Sequence, residues 1–378
     1  MSNKLFPLGE PVSEEDIVGR EEFLNSLEAR LANGQNIMLA GPRRIGKTSL
    51  ALQVLRRLKA KGYYVAFVDL FRLASKQELA QAIINACLTN RSGISKTVAV
   101  LKDGLKKIAG TAKLRAKMQD LDIEFALDLM DKDIKEDDLL NYAFQLPETL
   151  AKKDNKRLIF VFDEFQEVIR IAGEDILKKM RSYFQMQEKV TYLFLGSKEG
   201  IMSTIFGDKK QAFYRFATML PIPPISNEAW EKYISRKFED NKITVTNMSI
   251  SELLKLSGGH PQDTMLLCNE IYYAMLEAGA NRLTVDFVKI GYKRALLTLS
   301  TIFDELLDEL RKFPNVMPVL RSLAKGDRIY SLNKHPQEIK NAVDILLKKA
   351  IIEKIDRGKY QFVEPMFQDY LLNKIEVF

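Results

Sequence analysis

One stretch, Gly41-Pro42-Arg43-Arg44-Ile45-Gly46-Lys47-Thr48-Ser49, sets two glycines, a lysine and two hydroxyl residues at a spacing suited to phosphate chemistry. Without Cβ atoms, Gly41 and Gly46 let the backbone curl around a polyphosphate with successive N–H groups turned inward. Lys47 is long enough to reach the β- and γ-phosphates, and the Thr48 hydroxyl is an oxygen donor of the kind Mg²⁺ takes. Far along the chain, Asp163-Glu164 closes an apolar run. Asp163 is placed to hold the metal beside Thr48, mostly through water. Glu164, one residue on, can orient and deprotonate an attacking water. A solvated acidic strand end is the plainer alternative for that pair, and the loop upstream weighs against it. Ser197 ends another apolar run, where it would either sense a γ-phosphate by hydrogen bond or simply serve a turn. These residues predict a nucleotide-binding protein.

The elements needed to bring these groups together can be traced in the pattern. An apolar run, Asn36–Ala40, precedes the loop and a helix-forming run, Leu50–Leu55, follows it, which is the order strand, turn, helix. The N-terminus of that helix adds positive potential at the turn. Upstream, Phe23, Leu24, Leu27 and Leu31 recur at helical spacing, ended by Asn33-Gly34. Tyr63–Leu70 reads as a second strand and residues 75–89 as a helix. Leu158–Phe162 is apolar throughout, as a central parallel strand covered on both faces must be. Val190–Leu195 is another strand, ending in Gly196-Ser197, and Met219–Ile222 a short one. Strands alternating with helices predict an α/β fold, a parallel sheet with helices on both faces. Its ligand chemistry belongs at the carboxyl ends of the strands. Residues 90–155 read as a charged helical insertion, with Lys102, Lys106, Lys107, Lys113, Arg115 and Lys117 early and the acidic Asp131–Asp138 later. Solvated helices packed on the sheet and a partner surface both fit that composition.

Beyond Pro221, Pro223 and Pro224 the pattern turns helical over Glu228–Asp240, Ile250–Leu256, Pro261–Glu277, Val285–Leu296 and Ile302–Arg311. Val316–Ala324 and Pro336–Lys349 are further helices. Ala350–Ile355 and Tyr360–Val363, joined at Asp356-Arg357-Gly358-Lys359, make a hairpin. Helix, helix, hairpin is a winged-helix layout. The chain therefore divides into a nucleotide-binding core over 1–225, a helical lid over 226–312 and a winged helix over 313–378.

Length and composition narrow the class. The 378 residues, 46% hydrophobic and 28% charged, suit a globular chain of two or three domains. Met1–Pro7 has no apolar core of a secretory signal, and the uncharged stretch Phe216–Asn227 is too short to span a bilayer. Cytoplasm is the expected compartment, with no membrane partner. Cys87 and Cys268 sit in apolar helical contexts and read as core residues. His260 and His335 are too few for a histidine metal site. Within the net charge of +7, residues 311–378 hold thirteen Lys and Arg against eight Asp and Glu. Lys340, Lys348 and Lys349 on the second helix, with Arg357 and Lys359 at the hairpin, are placed for the phosphates of duplex DNA.

Gly41–Ser49, Phe160–Glu164, Gly196-Ser197 and Gly259-His260-Pro261, in that order, resemble the archaeal-type P-loop ATPases. That group sits among the signal-transduction ATPases with numerous domains (STAND), related to the AAA+ and origin-recognition ATPases. The resemblance runs from about residue 12 to the C-terminus, apart from the region around 90–155. It implies ATP and Mg²⁺ as ligands. Ile17-Val18-Gly19-Arg20-Glu21 is similar to the family's adenine-side element, so Val18, Gly19 and Arg20 are expected at the base. Pro261 is expected near the adenine, linking nucleotide state to the lid. Arg215 stands where AAA+ relatives often carry an arginine finger for a neighbouring subunit, with a plain surface arginine as the alternative. No lid arginine of the second-sensor kind is evident, which fits the signal-transducing branch better than a vigorous motor. The family uses winged helices for protein contact and autoinhibition as well as for DNA. The expected function is an ATP-hydrolysing switch, through homo-oligomer assembly or an unknown protein partner. The alternative is a DNA-binding assembly of the initiator or transposition-helper type, in which ATP mainly stabilises the oligomer.

Overall fold

The computed structural model describes residues 5–42, 44–89, 135–197, 199–356 and 358–377, so Arg43, Arg357 and positions 90–134 of the charged region lie outside the described residues. Five strands, β1 (Ile37–Ala40), β2 (Tyr64–Asp69), β3 (Leu158–Asp163), β4 (Val190–Gly196) and β5 (Thr218–Met219), form one sheet in the order β2-β3-β4-β1-β5. Every pairing in it is parallel. All six residues of β3 are buried. Phe160 and Phe162 project into one apolar core, and Ile159 and Val161 into the other, as the two-residue period of a strand demands. The second of these cores is closed by α1 (Glu21–Ala32) and α2 (Lys47–Ala60). The first is covered by α3 (Lys76–Leu88), α4 (Glu136–Lys153), α5 (Glu167–Ala172), α6 (Asp175–Phe184) and α7 (Glu199–Gly207). Aromatic rings dominate that face, with Phe184 stacked on Tyr192 at 4.2 Å between centroids.

The edge strand β5 stops sooner than the sequence pattern suggests. Leu220 N–H still donates to Met38 O at 2.9 Å, but Pro221 has no N–H with which to continue the ladder. Within the charged region, the described helix α4 lays Leu139, Ala143, Phe144, Leu146 and Leu150 on the sheet, so this portion is a crossover helix of the core.

The remainder is helical: α8 (Asn227–Glu239), α9 (Asn247–Ser257), α10 (Pro261–Glu277), α11 (Val285–Arg311), α12 (Val316–Ala324) and α13 (Pro336–Lys348). An antiparallel hairpin, β6 (Ile352–Asp356) and β7 (Lys359–Phe362), and a last helix α14 (Pro365–Val377) complete it. The two helices expected over Val285–Leu296 and Ile302–Arg311 are one helix of 27 residues. Between them, Thr298 and Ser300 turn their hydroxyls back onto the carbonyls of Arg294 and Leu297, and Leu299 is buried, so hydroxyl residues sit there without breaking the helix. Helix α14 was not foreseen. Its Pro365 opens the helix where no N–H is needed, and Met366, Phe367 and Leu371 enter the core. A single apolar cluster runs from Trp230 through Leu267, Leu299 and Val319 to Leu371, and takes in Phe6 and Val18 from the N-terminal stretch. Both cysteines are buried and unbridged. Among the described residues no helix is long and apolar enough to cross a membrane.

Candidate active site

The phosphate-type loop joins β1 to α2. Gly46, at φ 96°, is the residue before the helix, a conformation that costs glycine nothing. Arg44 holds a similar left-handed turn at φ 66°. Lys47 begins α2 and is buried, its amine donating to Gly41 O at 2.7 Å and to Pro42 O at 2.6 Å. A buried ammonium requires such acceptors, and the loop carbonyls hold it on the inner side of the turn. The next residue, Thr48, donates its hydroxyl to Asp163 Oδ2 at 2.7 Å. Ser49 Oγ accepts from Val12 N–H at 3.2 Å, which ties the N-terminal stretch over the loop.

Asp163 ends β3 beside Asp69, the last residue of β2, in register. Burial pushes the Asp163 carboxyl above the usual carboxylate range; the Thr48 hydrogen bond opposes this, and the charges of Glu164 and Asp69 add to it. Glu164 sits at φ 51°, left-handed for a residue with a Cβ, and its N–H donates to Asp163 Oδ1 at 2.9 Å. Strain of that kind gathers at functional turns. Glu164 Oε2 accepts the Ser197 hydroxyl at 2.6 Å and a bond from the Gln166 amide. Ser197 thus meets Glu164 directly, although the two lie on different strands' ends.

A cavity of about 710 Å³ has Val18, Arg20 and Pro261 of the expected adenine-side residues in its walls together with Lys47, Thr48 and Asp163, while Gly19 does not line it. Gly19 turns at φ 61°, where an added Cβ would lie 2.6 Å from Ala229 Cβ of α8. Arg20 also bonds two carbonyls. Its guanidinium donates to Ile45 O at 2.5 Å and Pro223 O at 3.2 Å, bracing the loop against the segment after β5. Burial pulls its pKa down to about 10. Pro261 starts α10 after Gly258 and Gly259, both left-handed, and the Trp230 indole N–H donates to Gly259 O at 3.0 Å.

Arg215 is exposed, at φ 54°, with its guanidinium over the Tyr214 ring at 5.2 Å, and it does not line this cavity. The C-terminal unit approaches the loop instead. Arg44 Nη1 lies 3.7 Å from Glu364 Oε1, and Pro365 packs so closely on Gly258 that an added Cβ would meet it at 2.5 Å. Burial raises the Glu364 carboxyl, helped by the charge of Asp263. Of the basic residues singled out on α13, Lys340 is exposed, Lys349 is paired with Glu309, and Lys348 lies over Gly200 of α7. At the hairpin, Lys359 stands 3.9 Å from Asp356.

Sequence reasoning missed Gln166, Asp69 and the stretch Pro7–Val12 at the cavity wall. Asp69 carries the one available signal, an acidic residue closing a strand in the same way as Asp163. The N-terminal stretch has none, since nothing in its composition says what it covers.

Residues 17–267, more than half of the chain, match the family described as an ATPase domain predominantly from Archaea. Among solved structures the chain is similar to the Walker-type ATPase PABY2304 of Pyrococcus abyssi, with TM-score 0.70 and 20% identity over 98% of this chain and 100% of that one. It is similar to the ORC2 protein of Aeropyrum pernix, solved as ADPNP–ADP complexes, with TM-score 0.58 and 13% identity over 99% and 97%. The ORC1 protein of the same organism, solved in complex with DNA, gives TM-score 0.50 and 15% identity over 97% and 94%. At such identities the likeness carries the fold, an α/β P-loop NTPase sheet followed by a helical C-terminal part. No curated protein matches the sequence.

Proposed function

Because the chain belongs to the ATPase domain family found predominantly in Archaea, we propose that it hydrolyses ATP with Mg²⁺ and acts as a nucleotide-dependent switch. The observation that supports this most is the junction at the end of β3, where Thr48 bonds Asp163 at 2.7 Å with Lys47 inside the same loop and Glu164 next in the chain. A hydroxyl and a carboxylate are the hard oxygen donors that suit Mg²⁺, and Thr48 and buried Asp163 bring one of each together. When bound, the metal would offset charge on the phosphates. The backbone N–H groups of Gly41, Arg43, Arg44, Ile45, Gly46 and Ser49 would supply the amide cradle, Pro42, which has no N–H, would shape its turn, and Lys47 would exchange its loop carbonyls for phosphate oxygens. Glu164 would orient the attacking water and take its proton, with Ser197 holding the carboxylate. Val18, Gly19 and Pro261 would border the base, while Arg20 would shape the loop from behind.

In this reading residues 1–225 are the ATPase core, 226–312 the lid and 313–378 a winged-helix unit, in keeping with the STAND branch. The Arg44–Glu364 approach supports a switch, because ATP phosphates would compete with Glu364 for Arg44. Exposed Arg215 suits a role across a homo-oligomer interface. A second reading, duplex DNA contact, draws on the basic excess of residues 311–378 and on exposed Lys340. Lys348 is exposed as well, while the pairing of Lys349 with Glu309 weighs against that part of the surface.

The test pairs Lys47→Ala with Glu164→Gln. The first should lose ATP binding and phosphate release; the second should bind ATP and release no phosphate. Unchanged release by Lys47→Ala would refute the assignment.

A further inference from the structure

Glu164 is one of two chain neighbours with opposite demands, since Asp163 points at Thr48 while Glu164 must be aimed elsewhere from a left-handed backbone. The strained turn leaves the glutamate three rotatable side-chain bonds that place its carboxylate oxygens, so something must restrain them. Three donors do so on the same oxygen: the Ser197 hydroxyl, the Ser197 N–H at 3.4 Å and the amide of Gln166. Gln166 is buried, 5% exposed, and its own backbone has little freedom. The preceding residue, Phe165, donates its N–H to Leu195 O at 2.8 Å and buries its ring among Phe194, Phe206 and Phe213.

The Gln166 amide is also oriented at a cost. Its Oε1 is buried with no hydrogen-bond partner, which folded proteins rarely tolerate. Rotating the amide would aim that oxygen at an acceptor-only carboxylate, so Glu164 dictates which way the group faces. The missing side chain at Gly196 makes room for both Met202, which an added Cβ would meet first, and the Gln166 oxygen, which it would meet at 2.7 Å. The buried amide and its unpaired carbonyl are thus arranged around the contact with Glu164.

We infer that Gln166 is a positioning residue for hydrolysis: it sets the direction of the Glu164 carboxylate without itself touching nucleotide. The inference rests on the ATPase reading above and deepens it. Loss of the amide leaves Glu164 free to swing, so chemistry slows while ATP binding, made by the loop, is untouched.

The experiment uses the full chain, ATP and magnesium chloride, with phosphate release measured from acid to alkaline pH. Gln166→Met keeps length and removes the amide; kcat should fall about 10- to 100-fold with KM unchanged. Gln166→Glu restores a donor only when its new carboxyl is protonated, so its rate relative to wild type should rise as pH falls, which a purely structural role would not produce. Wild-type kcat in Gln166→Met, or a Gln166→Glu ratio flat with pH, overturns this inference alone. A wild-type chain that releases no phosphate overturns the ATPase reading and this inference with it. Should Gln166→Met fail to fold, the pH ratio of Gln166→Glu decides.

Discussion

Replacing Gly19 by Ala probes the link between the base end of the cavity and the helical part. Two costs add. Gly19 sits at φ 61°, where an L residue with a Cβ pays about 1–2 kcal/mol. The new methyl would lie 2.6 Å from Ala229 Cβ and 3.5 Å from Ile225 Cγ2, so α8 would have to retreat by a large part of an ångström. Overpacking of that sort costs about 1–3 kcal/mol. The expected loss is therefore about 2–5 kcal/mol, read from urea unfolding, with weaker ATP binding because the displaced wall includes Val18. A second variant separates the terms. Gly19→Ala combined with Ala229→Gly removes the methyl contact but leaves the left-handed alanine, so it should recover the overpacking share beyond the cost of a helical glycine, about 1 kcal/mol. If Gly19→Ala unfolds at the wild-type urea concentration, or the double variant shows no coupling, the proposed packing of this turn against α8 is wrong.

Arg20→Met should lower stability by about 1.5–3 kcal/mol, because the carbonyls of half-buried Ile45 and exposed Pro223 lose a charged donor, and should weaken ATP binding through the loosened loop. Matching urea midpoints and matching ATP titrations would rule out the brace. Glu364→Gln should change stability in a pH-dependent way. The Glu364 carboxyl is raised in the folded chain, so its unfavourable ionisation is absent at acid pH and is felt as pH rises through the folded value. The variant should accordingly gain on wild type in thermal melts as pH increases, and a variant losing ground at alkaline pH would mean that the Arg44 pairing outweighs burial. For duplex DNA, Lys340→Glu should weaken binding and flatten its salt dependence, by about one unit of slope for one phosphate contact. Binding that is insensitive to salt would exclude phosphate contacts by this surface.

The loop and the alternating strands were legible because both are local. Gly41, Gly46 and Lys47 act through a turn of a few residues, and the apolar run Leu158–Phe162 declares a buried strand whatever surrounds it. The same locality explains Pro261–Glu277 and Val316–Ala324, whose bounds the pattern matched to the residue. Where one residue's fate depended on distant chain, the pattern was silent. Nothing near Leu297–Thr301 says that Leu299 will be buried and keep one helix running, and nothing near Pro365 says that a helix will dock there against Gly258. The pairing of Thr48 with Asp163 was expected from types alone, yet the meeting of Ser197 and Gln166 on one oxygen of Glu164 was not. Amino-acid order thus settled the chemical groups and the elements that carry them, since short-range sterics and periodicity suffice for that. Only packing could decide which groups restrain one another: Ser197 and Glu364 reach Glu164 and Arg44 from distant chain, and Gln166, though two residues from Glu164, is aimed at it by the burial of its surroundings.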